Sequence, residues 1–390
     1  MATSNNNKAL NVPHLRFPEF TGEWRYSSLG KECNILCGYP FDGQDMQESC
    51  GNVKLLRGIN ITEGEIRHSN ELDRYYSGDT SRLGKYILKE GDLVIGMDGS
   101  KVGRNSAILT ICEQGSYLVQ RVCRIRSQKH NVEYIFQHIN NSKFHRHVDS
   151  VKTASAIPHI SQSDIQDYVV SFPPTAEEQI KITSLLSLLD ARIATQNKII
   201  EDLEKLKSAI RERLYMQIQK GGFEHKTIRD VLSYEHPTKY IVVDTEYTDD
   251  KELTPVLTAN KTFILGYTPE QENIYRKGDC IIFDDFTMNI KFVSSPFKIK
   301  SSAIKILTAR SNVNLYFIYE YLLFLNLISE EHKRHYISEI EPLHIVVPGL
   351  VIQHKIADIL QCIDKQIYNA QQLQFAYQRQ KQYLLNQMFI

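Results

Sequence analysis

From Leu186 onward the apolar positions fall in alternating steps of three and four: Leu186, Leu189, Ile193, Ile200, Leu203, Ile210 and Leu214, with Gln196 and Lys207 in polar slots of the same series. That spacing holds one stripe on one helix face, and its seven-residue period is that of a coiled coil. Pro173-Pro174 ends the preceding strand-like run Tyr168–Phe172. Thr175 then stands three residues before Glu178 as a capping box, and nothing breaks the chain until Gly221-Gly222. The pattern predicts one helix from Thr175 to Lys220, 46 residues and about 69 Å long. A second seam follows at the C-terminus: Leu360, Ile363, Ile367, Tyr377, Leu384 and Met388, with Ala370, Gln374 and Lys381 in the remaining slots. Helices of this length need a partner, and each is the natural partner of the other.

The two helices belong to an internal repeat. Pro174, Gln179, Lys181, Ile182, Leu186, Asp190, Ile193 and Lys207 recur as Pro348, Gln353, Lys355, Ile356, Leu360, Asp364, Ile367 and Lys381, a constant shift of 174 residues. Upstream, Lys89-Glu-Gly91-Asp92-Leu-Val-Ile95 matches Arg276-Lys-Gly278-Asp279-Cys-Ile-Ile282 at a shift of 187, and at that shift Glu133-Tyr134 faces Glu320-Tyr321 and His145-Arg146-His147 faces His332-Lys333-Arg334. The change of shift places about 13 extra residues in the first copy, near Lys152 to Gln162. Each copy reads as a strand-rich module of Gly/Asp turns and β-branched runs, then one long helix. Two copies imply a pseudo-two-fold molecule with its helices paired antiparallel. The expected division is a disordered lead over 1–12, modules over 13–173 and 222–347, and helices over 174–221 and 348–390.

Composition narrows the class. Apolar residues make up 42% and charged residues 24% of 390, as in a soluble globular chain of two or three domains. Lys+Arg and Asp+Glu both total 46, so any basic surface is local. No apolar run approaches a membrane span, and the Asn-rich start has no signal-peptide core. The seven cysteines form no Cys-x-x-Cys, which fits reduced thiols in a cytoplasm; Cys33, Cys37 and Cys50 lack the second half of a zinc site.

The motifs resemble those of the type I restriction-modification DNA specificity subunits. Val12-Pro-His-Leu-Arg-Phe-Pro-Glu-Phe20 with Trp24 and Leu29-Gly30 is similar to the start of many members. Gly91 to Gly99 with Val102-Gly103, and Gln120-Arg121-Val122, look like elements of the family's first module. Thr254 to Thr268 and Ile281 to Phe286 look like one class of its recognition domain. The resemblance covers Val12 to Ile390. It implies an α+β fold: two pseudo-two-fold-related mixed α/β target-recognition domains separated by two long antiparallel coiled-coil-like helices. It also implies a non-catalytic bacterial or archaeal subunit that binds double-stranded DNA at a bipartite asymmetric sequence. Its partners would be modification (methyltransferase) subunits, two of them, and ATP-dependent restriction subunits. S-adenosylmethionine, ATP and Mg²⁺ would belong to those partners, with no cofactor in this chain.

The residues themselves point the same way. There is no Gly-x4-Gly-Lys-Ser/Thr phosphate loop, no Asp/Asn-Pro-Pro-Tyr and no Gly-x-Ser-x-Gly elbow. Asp284-Asp285 is the best metal candidate, yet Asp98 repeats it singly beside a Gly/Asp turn, so a turn anchor is the better reading. The candidate DNA-binding residues sit in basic or polar segments expected to be loops, because Arg, Lys, Asn and hydroxyls match phosphates and base edges. In module one they are Lys101, Arg104, Asn105, Lys143, His145, Arg146, His147, Lys152 and Thr153. In module two they are Thr258, Asn260, Lys261, Tyr267, Lys291, Lys298, Ser301, Ser302, His332, Lys333, Arg334 and His335. A standalone DNA-binding regulator should show a stronger basic surface or a helix-turn-helix. A nuclease acting alone should cleave DNA with Mg²⁺ and no partner.

Overall fold

The computed structural model describes residues 11–48, 53–258, 262–329 and 333–390. Two compact units emerge: residues up to Thr195 with Gln374–Ile390, and Gln196–Leu373. Each holds one strand-rich module and a stretch of each long helix.

The main sheet of unit one contains β1 (Asn34–Cys37), β2 (Leu93–Gly96), β3 (Ser106–Ile108) and β4 (Val122–Arg126), in the order β1-β4-β2-β3 and antiparallel throughout. In unit two β5 (Leu232–Glu235), β6 (Cys280–Asp284), β7 (Ile290–Val293) and β8 (Ile304–Ala309) take the same order, β5-β8-β6-β7. The repeat in sequence is therefore a repeat of topology. The central strands β2 and β6 are buried at every position, and apart from Asp284 at the end of β6 they read as apolar runs rather than alternating ones. One face of β2, Leu93 and Ile95, meets Trp24, Tyr134 and Phe172. The other, Val94, meets Leu56, Leu118 and Val122. Gly91 and Gly278 enter these strands at φ of +80° and +94°, backbone that only glycine adopts without strain. Asp92 behind Gly91 accepts from the Lys89 N–H and pairs with Arg126 at 2.6 Å.

Both modules close in the same way. Arg25–Ser28 pairs with Val169–Phe172, and Glu224–Thr227 with His344–Val347, so each module's first and last strands meet just before a long helix. Helix α1 (Val132–Ile139) is capped by Asn131, and its counterpart Leu315–Phe324 by Asn314. The Gln179 and Gln353 side chains, repeat partners in sequence, accept from the Asn131 and Asn314 N–H groups at 3.1 and 2.8 Å. These caps correct the repeat alignment. Asn131 and Asn314 lie 183 apart, so by this helix the shift has already dropped from 187, and Gln137, not Glu133, occupies the place of Glu320. Likewise His145-Arg146-His147 and His332-Lys333-Arg334 are not structural equivalents: the first lies on helix α2 (Ser142–Val151), and Lys333-Arg334 leads into the turn Tyr336–Ile340. Similar composition aligned segments that backbone hydrogen bonding separates.

The long helices are α3 (Ala176–Lys220, 45 residues) and α5 (Leu350–Met388, 39 residues), the intervening Leu315–Phe324 being α4. The seam expected from sequence is the less exposed face of both, including Gln196, Lys207, Gln374 and Lys381. In unit one Asp190 meets Lys381 at 2.6 Å and Arg192 lies over the Tyr377 ring, a pairing that runs antiparallel. In unit two Lys207 meets Asp364 at 2.6 Å. The 174-residue shift maps one ion pair onto the other. The capping box of α3 forms only in part. The Glu178 N–H donates to Thr175 at 3.3 Å, while its carboxylate turns to Arg16 at 2.7 Å and Trp24 at 3.2 Å. A buried carboxylate beside a guanidinium gains more from that pair than from its own backbone.

His138 on α1 is buried, with Phe389 edge-on at 4.5 Å. Burial, helped by Lys143, lowers its pKa from the ordinary 6.5 to about 3. An unfolded chain therefore binds one more proton here between those values. Stability should fall as pH drops through that window, by up to about 1.4 kcal/mol per pH unit. Denaturant unfolding of His138→Gln against the parent from pH 7 to pH 4 checks this; equal pH slopes would contradict it.

Candidate nucleic-acid interface

In module one, four segments converge at the end of β2. The turn Met97–Arg104 leaves the strand, and the Met97 N–H donates to the Arg121 carbonyl at 2.9 Å. Gly99 donates to the Pro158 carbonyl at 3.0 Å and Ile160 to the Met97 carbonyl at 3.0 Å, which straps the first copy's extra segment along the turn. Thr153 and His159 close that segment on itself at 2.9 Å. Gly103, at φ +70°, lies where a Cβ would meet the Val148 side chain at 2.7 Å, so the turn packs directly on α2.

The candidate cations differ in what they are free to do. Lys101 is exposed and meets Glu63 at 2.9 Å. Arg104 and Lys152 both bind Asp149 at 2.7 Å, and first Arg104, then Lys152, holds that carboxyl down at about 2. Lys143 reaches the Phe389 carbonyl at 3.2 Å, and burial pushes its pKa down. His145 is half-buried, and burial lowers its pKa. His147 donates to the Asp164 carbonyl at 2.8 Å. Asn105 is half-buried, its carbonyl accepting from Gly96. Arg146 is exposed and forms no ion pair among the described residues. The same holds for Arg121, which is not among the sequence-based candidates. Its φ of +73° turns it out of the strand, and nothing in the sequence announces that.

In module two the turn Asp284–Asn289 occupies the matching place. Asp284 accepts from the Phe286 and Thr287 N–H groups, both at 2.9 Å. Asp285 accepts from His335 at 3.0 Å and Tyr336 at 2.7 Å and pairs with Lys305 at 3.4 Å. The two carboxylates are thus spent on anchoring the turn. No cluster of three metal-ligating His, Cys, Asp or Glu residues occurs among the described residues. Ser301 and Ser302 are exposed beside the turn, where Ala303 accepts from the Asp285 N–H. Exposed Arg334 and Lys333, the latter bound to Glu339 at 3.0 Å, directly precede His335, whose N–H donates to Asp285. Lys291 is half-exposed on β7.

Two candidates are interior. Lys298 is 2% exposed, paired with Glu270 and donating to the Glu272 carbonyl at 3.0 Å. His335 is also 2% exposed, held by Ser329 at 2.9 Å and Glu339 at 2.8 Å. Desolvated and already bonded, both serve the fold. Thr258 is buried just past the end of strand Thr254–Leu257, and Tyr267 is half-buried on the paired strand Ile264–Thr268. Asn260, Lys261 and His332 lie outside the described residues, as do Cys50 and the first ten residues.

Comparisons with known proteins place this geometry. The family model described as "Type I restriction modification DNA specificity domain" matches residues 23–205 and 220–374. The Escherichia coli EcoR124I/EcoR124II specificity subunit is 42% identical over 144 residues, 34% of this chain and 35% of that one. The Escherichia coli EcoBI specificity subunit is 27% identical over 192 residues, 48% of this chain and 37% of its own. These matches span little more than a third of each relative's length. The crystal structure of a type I restriction-modification S subunit from M. genitalium superimposes with a TM-score of 0.64 at 14% identity, covering 97% of this chain and 99% of that one. At that identity it shows a shared fold.

Proposed function

Because this chain belongs to the type I restriction-modification DNA specificity family, we propose that it reads a bipartite, asymmetric DNA sequence and directs partner subunits to methylate adenine or restrict DNA there. The observation that carries this reading is the duplicated module. The same four-stranded order recurs, each copy presenting an anchored turn at the end of its central strand, with different side chains around it. Modules over 13–173 and 222–347 would each read one half-site. Because their exposed residues differ, the half-sites would differ.

In module one Arg121, Arg146 and Lys101 would meet phosphates or base edges, with Arg104, Lys152 and Thr153 shaping the surface. In module two Arg334, Lys333, Ser301 and Ser302 would do so. The chain would act in the cytoplasm as the non-catalytic subunit. S-adenosylmethionine, ATP and Mg²⁺ would be bound by the modification and restriction subunits.

Docking of those subunits is supported by apolar side chains outside the heptad seam. Leu188 is 65% exposed on α3, and Tyr368 59%, Phe375 52% and Tyr383 61% exposed on α5. Replacing Leu188 or Tyr368 by Asp should leave unfolding stability within about 0.5 kcal/mol. It should weaken capture of the modification subunit at least about tenfold, measured by co-purification and analytical ultracentrifugation. Undiminished capture by both variants would remove the helices from the docking surface.

A further inference from the structure

Cys37 and Cys123 sit directly opposite each other on β1 and β4. The next pair along, Gly38 and Val122, is the hydrogen-bonded one, since the Gly38 N–H donates to the Val122 carbonyl at 3.0 Å. The two cysteines therefore form a non-hydrogen-bonded pair, in which facing Cα atoms are about 4.5 Å apart, inside the roughly 4.4–6.8 Å that a disulfide spans. Their side chains share one sheet face and one core cluster with Met97, whose Sδ is 3.4 Å from the Cys37 Sγ. A Cβ on Gly38 would fall 2.1 Å from the Val119 carbonyl, so the backbones are pressed together at this point. Cys37 is half-buried and reachable; Cys123 is buried behind it.

We propose that Cys37 and Cys123 are an oxidative modification site, a dithiol that hydrogen peroxide or a related hydroperoxide converts to a cross-strand disulfide. The Cys37 thiolate attacks a peroxide oxygen. The S–O bond forms, the O–O bond breaks, and the departing hydroxide takes up the Cys37 proton as water. The Cys123 sulfur then attacks the Cys37 sulfenic acid. The S–S bond forms, the S–O bond breaks, and a second water carries off the Cys123 proton. Two thiols are oxidised and one peroxide is reduced. The order of attack follows from reach, and the hydrogen bond from Cys123 also lowers the Cys37 pKa while that of Cys123 is raised. The bond would tie β1 to β4 two residues from Arg121 and beside Met97, at the root of the recognition turn.

This chemistry is independent of what the chain binds. The test treats the full chain, with exposed Cys112 and Cys362 replaced by Ser, with hydrogen peroxide. Free thiols are then alkylated before peptide mapping under non-reducing conditions. The expected result is a loss of two hydrogens, a single linked peptide pair containing Cys37 and Cys123, and full reversal by dithiothreitol. Cys123→Ala should leave Cys37 alkylatable or singly oxygenated. Oxygen taken up by Met97 in place of the disulfide, a link through Cys33, or no linked pair in the folded parent would overturn the proposal. The parent's own peptide map decides the matter even if the variant folds poorly.

Discussion

Glu320→Ala is expected to destabilise unit two by about 3–5 kcal/mol, measured by urea unfolding. Glu320 is fully buried on α4 and accepts from three groups: Lys207 at 2.7 Å, Arg211 at 2.6 Å and the Tyr316 hydroxyl at 2.8 Å. Lys207 and Arg211 come from α3, so this carboxylate fastens the module to its helix. Removing it strands two largely desolvated cations, of which only Lys207 keeps another carboxylate, Asp364. Glu320→Gln retains shape and hydrogen bonding and should lose less. In unit one the equivalent place holds Gln137, which donates to Asp190 at 3.3 Å, and Asp190 is 38% exposed where it meets Lys381. Asp190→Ala strands one cation, the buried Lys381, instead of two, and should lose less, about 2 kcal/mol. Equal losses for Glu320→Ala and Asp190→Ala would contradict this account of the two clamps.

Arg121→Gln with Arg146→Gln should weaken DNA binding by about tenfold or more at low salt. It should also make the slope of log affinity against log salt shallower by roughly 2, one for each phosphate left without its cation. Both side chains are exposed without ion pairs among the described residues, so little folding stability is at stake. Glutamine inherits the left-handed backbone that Arg121 already tolerates. Fluorescence anisotropy over a salt series reads both quantities. An unchanged slope with unchanged affinity would exclude this face from the interface.

Much of the architecture was legible in the sequence because periodicity and repetition are local. The seam from Leu186 to Leu214 lies where the three-four spacing puts it, and the Gly91-Asp92 and Gly278-Asp279 turns open the central strands in both units. The recurrence of Asp190 as Asp364 and of Lys207 as Lys381 was visible in the shared 174-residue shift, but their pairing as Asp190–Lys381 and Lys207–Asp364 emerges only in the structure. The finer alignment was not, because Glu133-Tyr134 and Glu320-Tyr321 match in letters while the Asn131 and Asn314 caps set the helix register. The site was the least legible part. Charge announces a cation but not its burial. Lys298 looks like a surface lysine until Glu270, 28 residues earlier in sequence, folds against it. His335 looks like part of a basic loop until Asp285 takes its N–H. Arg121 owes its exposure to a dihedral angle that no composition reveals.

The most direct test co-expresses the chain with the modification subunits of its system and reads the methylated sequences in cells. The account predicts one gapped, asymmetric adenine-methylation motif, in which exchanging residues 222–347 for another such module rewrites one half and leaves the other unchanged. An assembled complex that methylates no gapped motif, or whose two halves both change on that exchange, would contradict it.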